Sequence, residues 1–303
     1  MIYFLLSDDE GRTTMPYLYL ALAMIFSAML SAMSTIFNRT NESAQNAGWL
    51  YNLIVTASAA VSWGVVYAFD FFFSPKILFY SVIYSIFYVM AMMGIFKAIE
   101  CGSTSLTSFI KQLSLIAVSV WGFIFWNSEI TPVIMVGISL IILSLYLCFA
   151  NKKGDKSGGV SLKWLSYATL LLIGNAGSSI TQKYQQMEFS GEGGSAMMFF
   201  ASLFSAIICS VLFLSSTRPD LTRITKGTLL CPVFGGLSST LLNAFIILML
   251  SSPLSTSIIF PGIAVGGMIL TILFSVLAYK ERLHPTRWLG LAIGALALVA
   301  LNL

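Results

Sequence analysis

The chain has 303 residues, of which 57% are apolar and 9% charged. Soluble domains run near 45–50% apolar and about 25% charged, so a water-soluble globule, a disordered chain and a disulfide scaffold are excluded, and the solvent must be lipid. A net charge of +4 spread over short connections reads as a membrane topology signal, and no nucleic-acid partner is expected.

A bilayer core about 30 Å thick takes roughly 20 apolar residues per helix. Apolar runs bounded by charge or by Gly and Pro fall at 16–37, 48–69, 75–99, 104–126, 131–150, 162–182, 195–214, 227–250, 253–278 and 285–303. They predict an all-α integral membrane protein with ten transmembrane helices. Pro16, Pro75, Pro132, Pro253 and Pro285 stand at the openings of five runs, where a missing N–H costs no intrahelical bond. The start, Met1–Leu6, is too short for a signal peptide and runs into Asp8, Asp9 and Glu10, so no cleavable leader is expected. Cys101, Cys148, Cys209 and Cys231 sit in or beside apolar runs without a CxxC spacing and read as small buried residues. No metal and no cofactor are expected.

The most hydrophilic internal stretch, Asn151 to Gly159, lies at the midpoint and marks a joint between two halves. The first would cover 1–150 (spans one to five), the linker 151–160, and the second 161–303 (spans six to ten). Ser34-Thr-Ile-Phe-Asn-Arg39 near the end of span one corresponds to Ser178-Ser-Ile-Thr-Gln-Lys183 near the end of span six. Glu129, Pro132 and Gly137 at span five correspond to Glu281, Pro285 and Gly290 at span ten. An odd number of helices per half forces consecutive halves to enter the membrane from opposite sides, so the repeat would be inverted.

Ten spans, a five-plus-five inverted repeat, and an acidic residue followed by Pro and Gly at both span five and span ten resemble the drug/metabolite transporter superfamily, its EamA-type branch above all. The most specific piece is Tyr279-Lys-Glu-Arg-Leu283 through Gly290 and Gly294, although Lys280 and Ser128 stand where family members carry glycine. The resemblance covers the chain from Tyr17 to Leu303. It implies solute transport, and because the superfamily carries amino acids, drugs, sugars and nucleotide sugars, it names no cargo.

Ionisable groups within a membrane are costly and are functional suspects. All twelve acids fall at helix ends or in connections, which argues against a buried carboxylate exchanging a proton for a cationic drug. Lys111 differs, lying about 10 Å into span four at about 1.5 Å per residue. It either snorkels to the interface or, with Gln112, faces a central cavity and binds an anionic group. Tyr80, Tyr84 and Tyr88 share one helix face with Ser81 and Ser85 beside them, as a packing stripe or as a cavity wall. Asn52, Asn175, Gln182 and Asn243 either bond between helices or line the same cavity. Pro261, Gly262 and Gly266 in span nine form either a gate hinge or a close-packing site. The single His284 has no second ligand beside it, and Glu129 and Glu281 are read as partners of helix N-termini.

Lys and Arg number twelve in the odd-numbered connections against three in the even-numbered ones and the N-terminal segment, with Lys111 set aside. The charge count places the odd connections in the cytoplasm and both termini outside; the resemblance implies the reverse.

The sequence contains no P-loop, catalytic triad or paired carboxylates, and an enzyme is not expected. The expected function is a secondary transporter in the inner membrane of a bacterium, moving a small polar or anionic organic metabolite by alternating access, with the cargo against spans three, four, eight and nine. A proton-coupled exporter of amphipathic drugs and a lipid-linked flippase subunit or non-transporting scaffold are the alternatives. Monomer and homodimer remain equally open.

Overall fold

The computed structural model describes residues 11–41, 47–101, 104–126, 131–149, 161–215, 224–279 and 285–301. These residues form α1 (Gly11–Thr40), α2 (Ala47–Phe69), α3 (Pro75–Cys101), α4 (Thr104–Phe125), α5 (Pro132–Phe149), α6 (Leu162–Glu188), α7 (Gly194–Ser215), α8 (Leu230–Leu250), α9 (Thr256–Tyr279) and α10 (Pro285–Leu301), with a short 3-10 helix at Lys226–Leu229 ahead of α8. No strand occurs among the described residues.

Among the described residues, six helices are long and apolar enough to cross a bilayer, in α1, α2, α3, α7, α8 and α9. Shorter apolar stretches lie in α4, α5 and α10. α6 has the length, but Gln182, Lys183, Gln185, Gln186 and Glu188 make its second half polar. The chain is therefore an all-helical, membrane-embedded protein of the multi-pass kind.

Local chemistry explains where the helices begin. Pro75, Pro132 and Pro285 each occupy a first helical position, as their spacing predicts. Ser161 caps α6 by accepting from the Trp164 N–H at 3.1 Å. The other two prolines correct the expectation. Pro16 lies inside α1, which starts five residues earlier at Gly11. Pro253 precedes α9: the Ser252 and Ser255 hydroxyls accept from the Leu254 and Ser257 N–H groups, and this turn holds the helix back until Thr256. α6 runs past the end of its apolar segment to Glu188, because its glutamines are paired inside the protein. Gln185 donates to the Glu192 carbonyl at 2.7 Å, and Gln186 donates to Gln185 Oε1 at 2.6 Å.

The most extensive packing joins the first five helices to the last five. α3 lies on α6, α1 on α8, α5 on α10 and α2 on α7, with α4 on α9 behind them. α3 and α6 approach closely through glycine. A Cβ at Gly94 would sit 2.5 Å from the Leu171 backbone nitrogen, and one at Gly174 2.5 Å from that of Ala91.

Polar contacts cluster at the two ends of the bundle. At one end Ser195 Oγ donates to Asp70 Oδ2 at 2.8 Å, Lys76 pairs with Glu188, and Lys183 donates to the Leu250 carbonyl at 3.1 Å. At the other, Asn41 donates to Thr228 Oγ1 at 2.9 Å and Trp164 Nε1 donates to Thr107 Oγ1 at 3.2 Å. Both sets place successive connections at alternate ends. The linker 151–160, and with it the boundary between the expected halves, lies outside the described residues.

Candidate functional site

Four helices turn a polar minority of their side chains toward one another. On α2, Asn52, Thr56, Ala59 and Trp63 follow the 4-3-4 spacing of a single helix face. On α7, Met198, Ser202, Ser205 and Cys209 repeat that spacing. α3 contributes Tyr84 and Tyr88, whose rings stack at 6.2 Å with planes 12° apart, and α8 contributes Ser239 and Asn243 one turn apart. Together Thr56, Ala59, Trp63, Tyr84, Tyr88, Met198, Ser202, Ser205, Ser239 and Asn243 line a partly open cavity of about 20 Å³, room for a water.

Among the described residues the lining carries no Asp, Glu, Lys, Arg or His. Most of its hydroxyls bond to no described residue. Thr56 Oγ1 donates back to the Asn52 carbonyl at 2.8 Å, and Asn243 Nδ2 to the Ser239 carbonyl at 2.8 Å. Ser205 is 1% exposed and its Oγ has no partner among the described residues. The side-chain hydroxyls of Tyr84, Tyr88, Ser202 and Ser239 likewise bond to no described residue. Below Thr56 on the same face, the Nδ2 of buried Asn52 has no partner among the described residues. Buried polar groups are normally satisfied, so several free ones around one void indicate a place for a polar guest.

The structure separates the residues singled out from the sequence. Tyr84, Tyr88 and Asn243 meet in the cavity, with Asn52 one turn beyond it. Tyr80 occupies the same stripe one turn toward Lys76 and packs on the Trp63–Ile77–Met197 cluster without lining the cavity. Ser81 is tied to α7, donating to the Met197 carbonyl at 3.0 Å, and Gln182 reaches Met198 Sδ at 3.9 Å. Lys111 and Gln112 are half-buried on α4 and lie outside the lining. Asn175 bonds to α4, at Ser114, and also lies outside. The cavity is bounded by α2, α3, α7 and α8, whereas the sequence pointed to spans three, four, eight and nine.

Pro261 lies within a continuous α9, and its glycines face α1. A Cβ at Gly262 would meet Leu20 at 3.2 Å, and one at Gly266 would overlap Met24. Pro132 and Pro285 open α5 and α10, and Gly137 and Gly290 are buried. Ser144 of α5 donates to the Gly290 carbonyl of α10 at 2.6 Å. Glu129, Glu281 and His284 lie outside the described residues.

Sequence reasoning missed Thr56, Trp63, Ser202, Ser205 and Ser239. Their signal was present as small polar residues at helical spacing inside strongly apolar helices, but single hydroxyls are common in membrane helices and none stands out alone.

No family model matches the chain, and no curated protein matches it. A solved structure described only as "Crystal structure of protein" is similar to it with a TM-score of 0.72 at 11% identity, over 95% of this chain and 96% of that one. That likeness concerns the fold alone. Fold and cavity together define a multi-helix membrane protein with a small, hydroxyl-rich cavity that is uncharged among the described residues.

Proposed function

We propose that the chain is a secondary transporter of the drug/metabolite type, with ten transmembrane helices, carrying a small polar organic solute across the cytoplasmic membrane by alternating access. The observation that carries this reading is the cavity itself: unpartnered hydroxyls gathered between four helices of an otherwise apolar bundle, where a water-stripped polar solute would replace the missing partners.

The packing of the helices supports an inverted five-plus-five repeat. Exchanging α1–α5 with α6–α10 turns the α3–α6 contact into α8–α1, α1–α9 into α6–α4 and α3–α7 into α8–α2, and each of these pairs is packed. The α2–α7, α4–α9 and α5–α10 pairs map onto themselves. A pseudo-two-fold axis through the self-paired helices gives two related halves able to rock about a shared site. α2, α3, α7 and α8 also form a closed set under this exchange, so the cavity would lie on the axis.

Reconstitution into proteoliposomes tests the reading. Solute-dependent counterflow of a compound that also stabilises the purified protein is the expected result. A protein that shows neither stabilisation nor flux with any of a broad set of polar metabolites is not a transporter of this class.

A further inference from the structure

We infer that the cavity selects an uncharged solute, rich in hydroxyl or amide groups, that offers one flat or C–H-rich face; this rests on the transporter reading and names its cargo class. Charge is the first argument. Among the described residues the lining has no ionisable acid or base beyond its two phenols, and the half-buried Lys111 is not part of it. A charged solute placed there would give up its hydration without meeting a counter-ion, which low-dielectric surroundings penalise heavily. A neutral polar solute faces no such penalty once its hydrogen bonds are replaced.

The second argument is the supply of those bonds. The hydroxyls of Tyr84, Tyr88, Ser202, Ser205 and Ser239 can each donate and accept, and none is used by a described residue. A group that both donates and accepts is matched by solute hydroxyls and amides, whereas a carboxylate only accepts and an ammonium only donates. The third is shape. Trp63 of α2 and the stacked Tyr84–Tyr88 pair of α3 bring aromatic side chains into the lining. Once the four helices part to admit it, a saturated ring would pack its C–H face on such rings while its edge hydroxyls reach the serines.

The test uses purified full-length protein and probes that differ in charge on one ring: glucose, glucuronate and glucosamine, and inositol beside inositol monophosphate, with tetraphenylphosphonium as a lipophilic cation. The expected result is thermal stabilisation by a neutral member at a concentration where its charged counterparts do nothing. Ser205→Ala is then expected to weaken that binding about five- to tenfold, the loss of one hydrogen bond. The unliganded variant should melt no lower than the parent, because a buried hydroxyl without a partner has been removed. Stabilisation by a charged member equal to or above that of its neutral partner overturns the assignment, as does the absence of any neutral stabiliser. Counterflow in liposomes separates the two proposals. Flux of a charged solute alone removes the cargo class and leaves the transporter, while binding of a neutral solute without flux does the opposite.

Discussion

Asn175 on α6 donates to Ser114 Oγ on α4 at 2.6 Å, and Ser114 donates in turn to the Lys111 carbonyl at 2.6 Å. This chain of bonds satisfies the Asn175 amide between two helices and leaves it no role in the cavity. Asn175→Ala is expected to lower stability by about 0.5–1.5 kcal/mol, the usual worth of an interhelical hydrogen bond in a membrane protein. Solute affinity should stay within error of the parent. Thermal melting in detergent, with and without a stabilising solute, reads both quantities, and a loss of affinity without a loss of stability would contradict this placement.

The α3–α6 contact makes a sharper prediction. The backbone of Ala91 and the carbonyl of Phe87 stand 2.5–2.6 Å from where a Gly174 side chain would begin. Backbone cannot rotate away as a side chain can, so Gly174→Ala must push the helices apart. A cost of about 1–3 kcal/mol is expected. Gly227→Ala is the control, since nothing lies within 4 Å of the added carbon there. If the two variants melt alike, α3 and α6 are not in this close approach.

Most of the helix boundaries were legible because lipid imposes one rule on every span. Pro75, Pro132 and Pro285 open helices where the sequence places them. The errors share a cause: apolarity was read as the mark of a helix, and buried polar pairing was invisible. Gln185 and Gln186 carry α6 onward because the Glu192 carbonyl and the Ser251 hydroxyl complete their bonds, contacts to other segments that no local pattern announces. The same blindness divides the candidate site. Tyr84, Tyr88 and Asn243, which line the cavity, were singled out because large or amide side chains are conspicuous in apolar helices. Ser205 and Thr56 were passed over because a hydroxyl usually bonds to its own helix, as Thr56 does. Lys111 attracted notice for its charge, yet charge at depth does not say which neighbouring void the helix faces.

The contacts of Asp70 with Ser195 and of Lys76 with Glu188 cross between the first five helices and the last five at one end of the bundle. In an alternating-access cycle they would have to break before a solute could pass that end. Solvent-exposed pairs add little to stability, so Glu188→Gln should leave the melting temperature nearly unchanged. It should nonetheless speed labelling of a Ser239→Cys probe by a membrane-impermeant maleimide applied from that side. The same labelling rate in both backgrounds would mean that these contacts do not close the pathway.

Lys111 offers the last prediction. Its ammonium forms no hydrogen bond or ion pair with a described residue, and its side chain is half-buried on α4 away from the cavity lining. A lysine at that depth costs free energy, reduced because its stem can carry the charge toward the interface. Lys111→Met keeps the stem and removes the charge, so a gain of about 1–2 kcal/mol in stability is expected. Affinity for a neutral solute should not move. Isothermal titration of the parent and the variant with the same stabilising solute checks this directly. A large loss of affinity in Lys111→Met, recovered in Lys111→Arg, would place the charge beside the cargo after all and require a different conformation of the cavity from the one in which Tyr84 and Tyr88 meet Asn243.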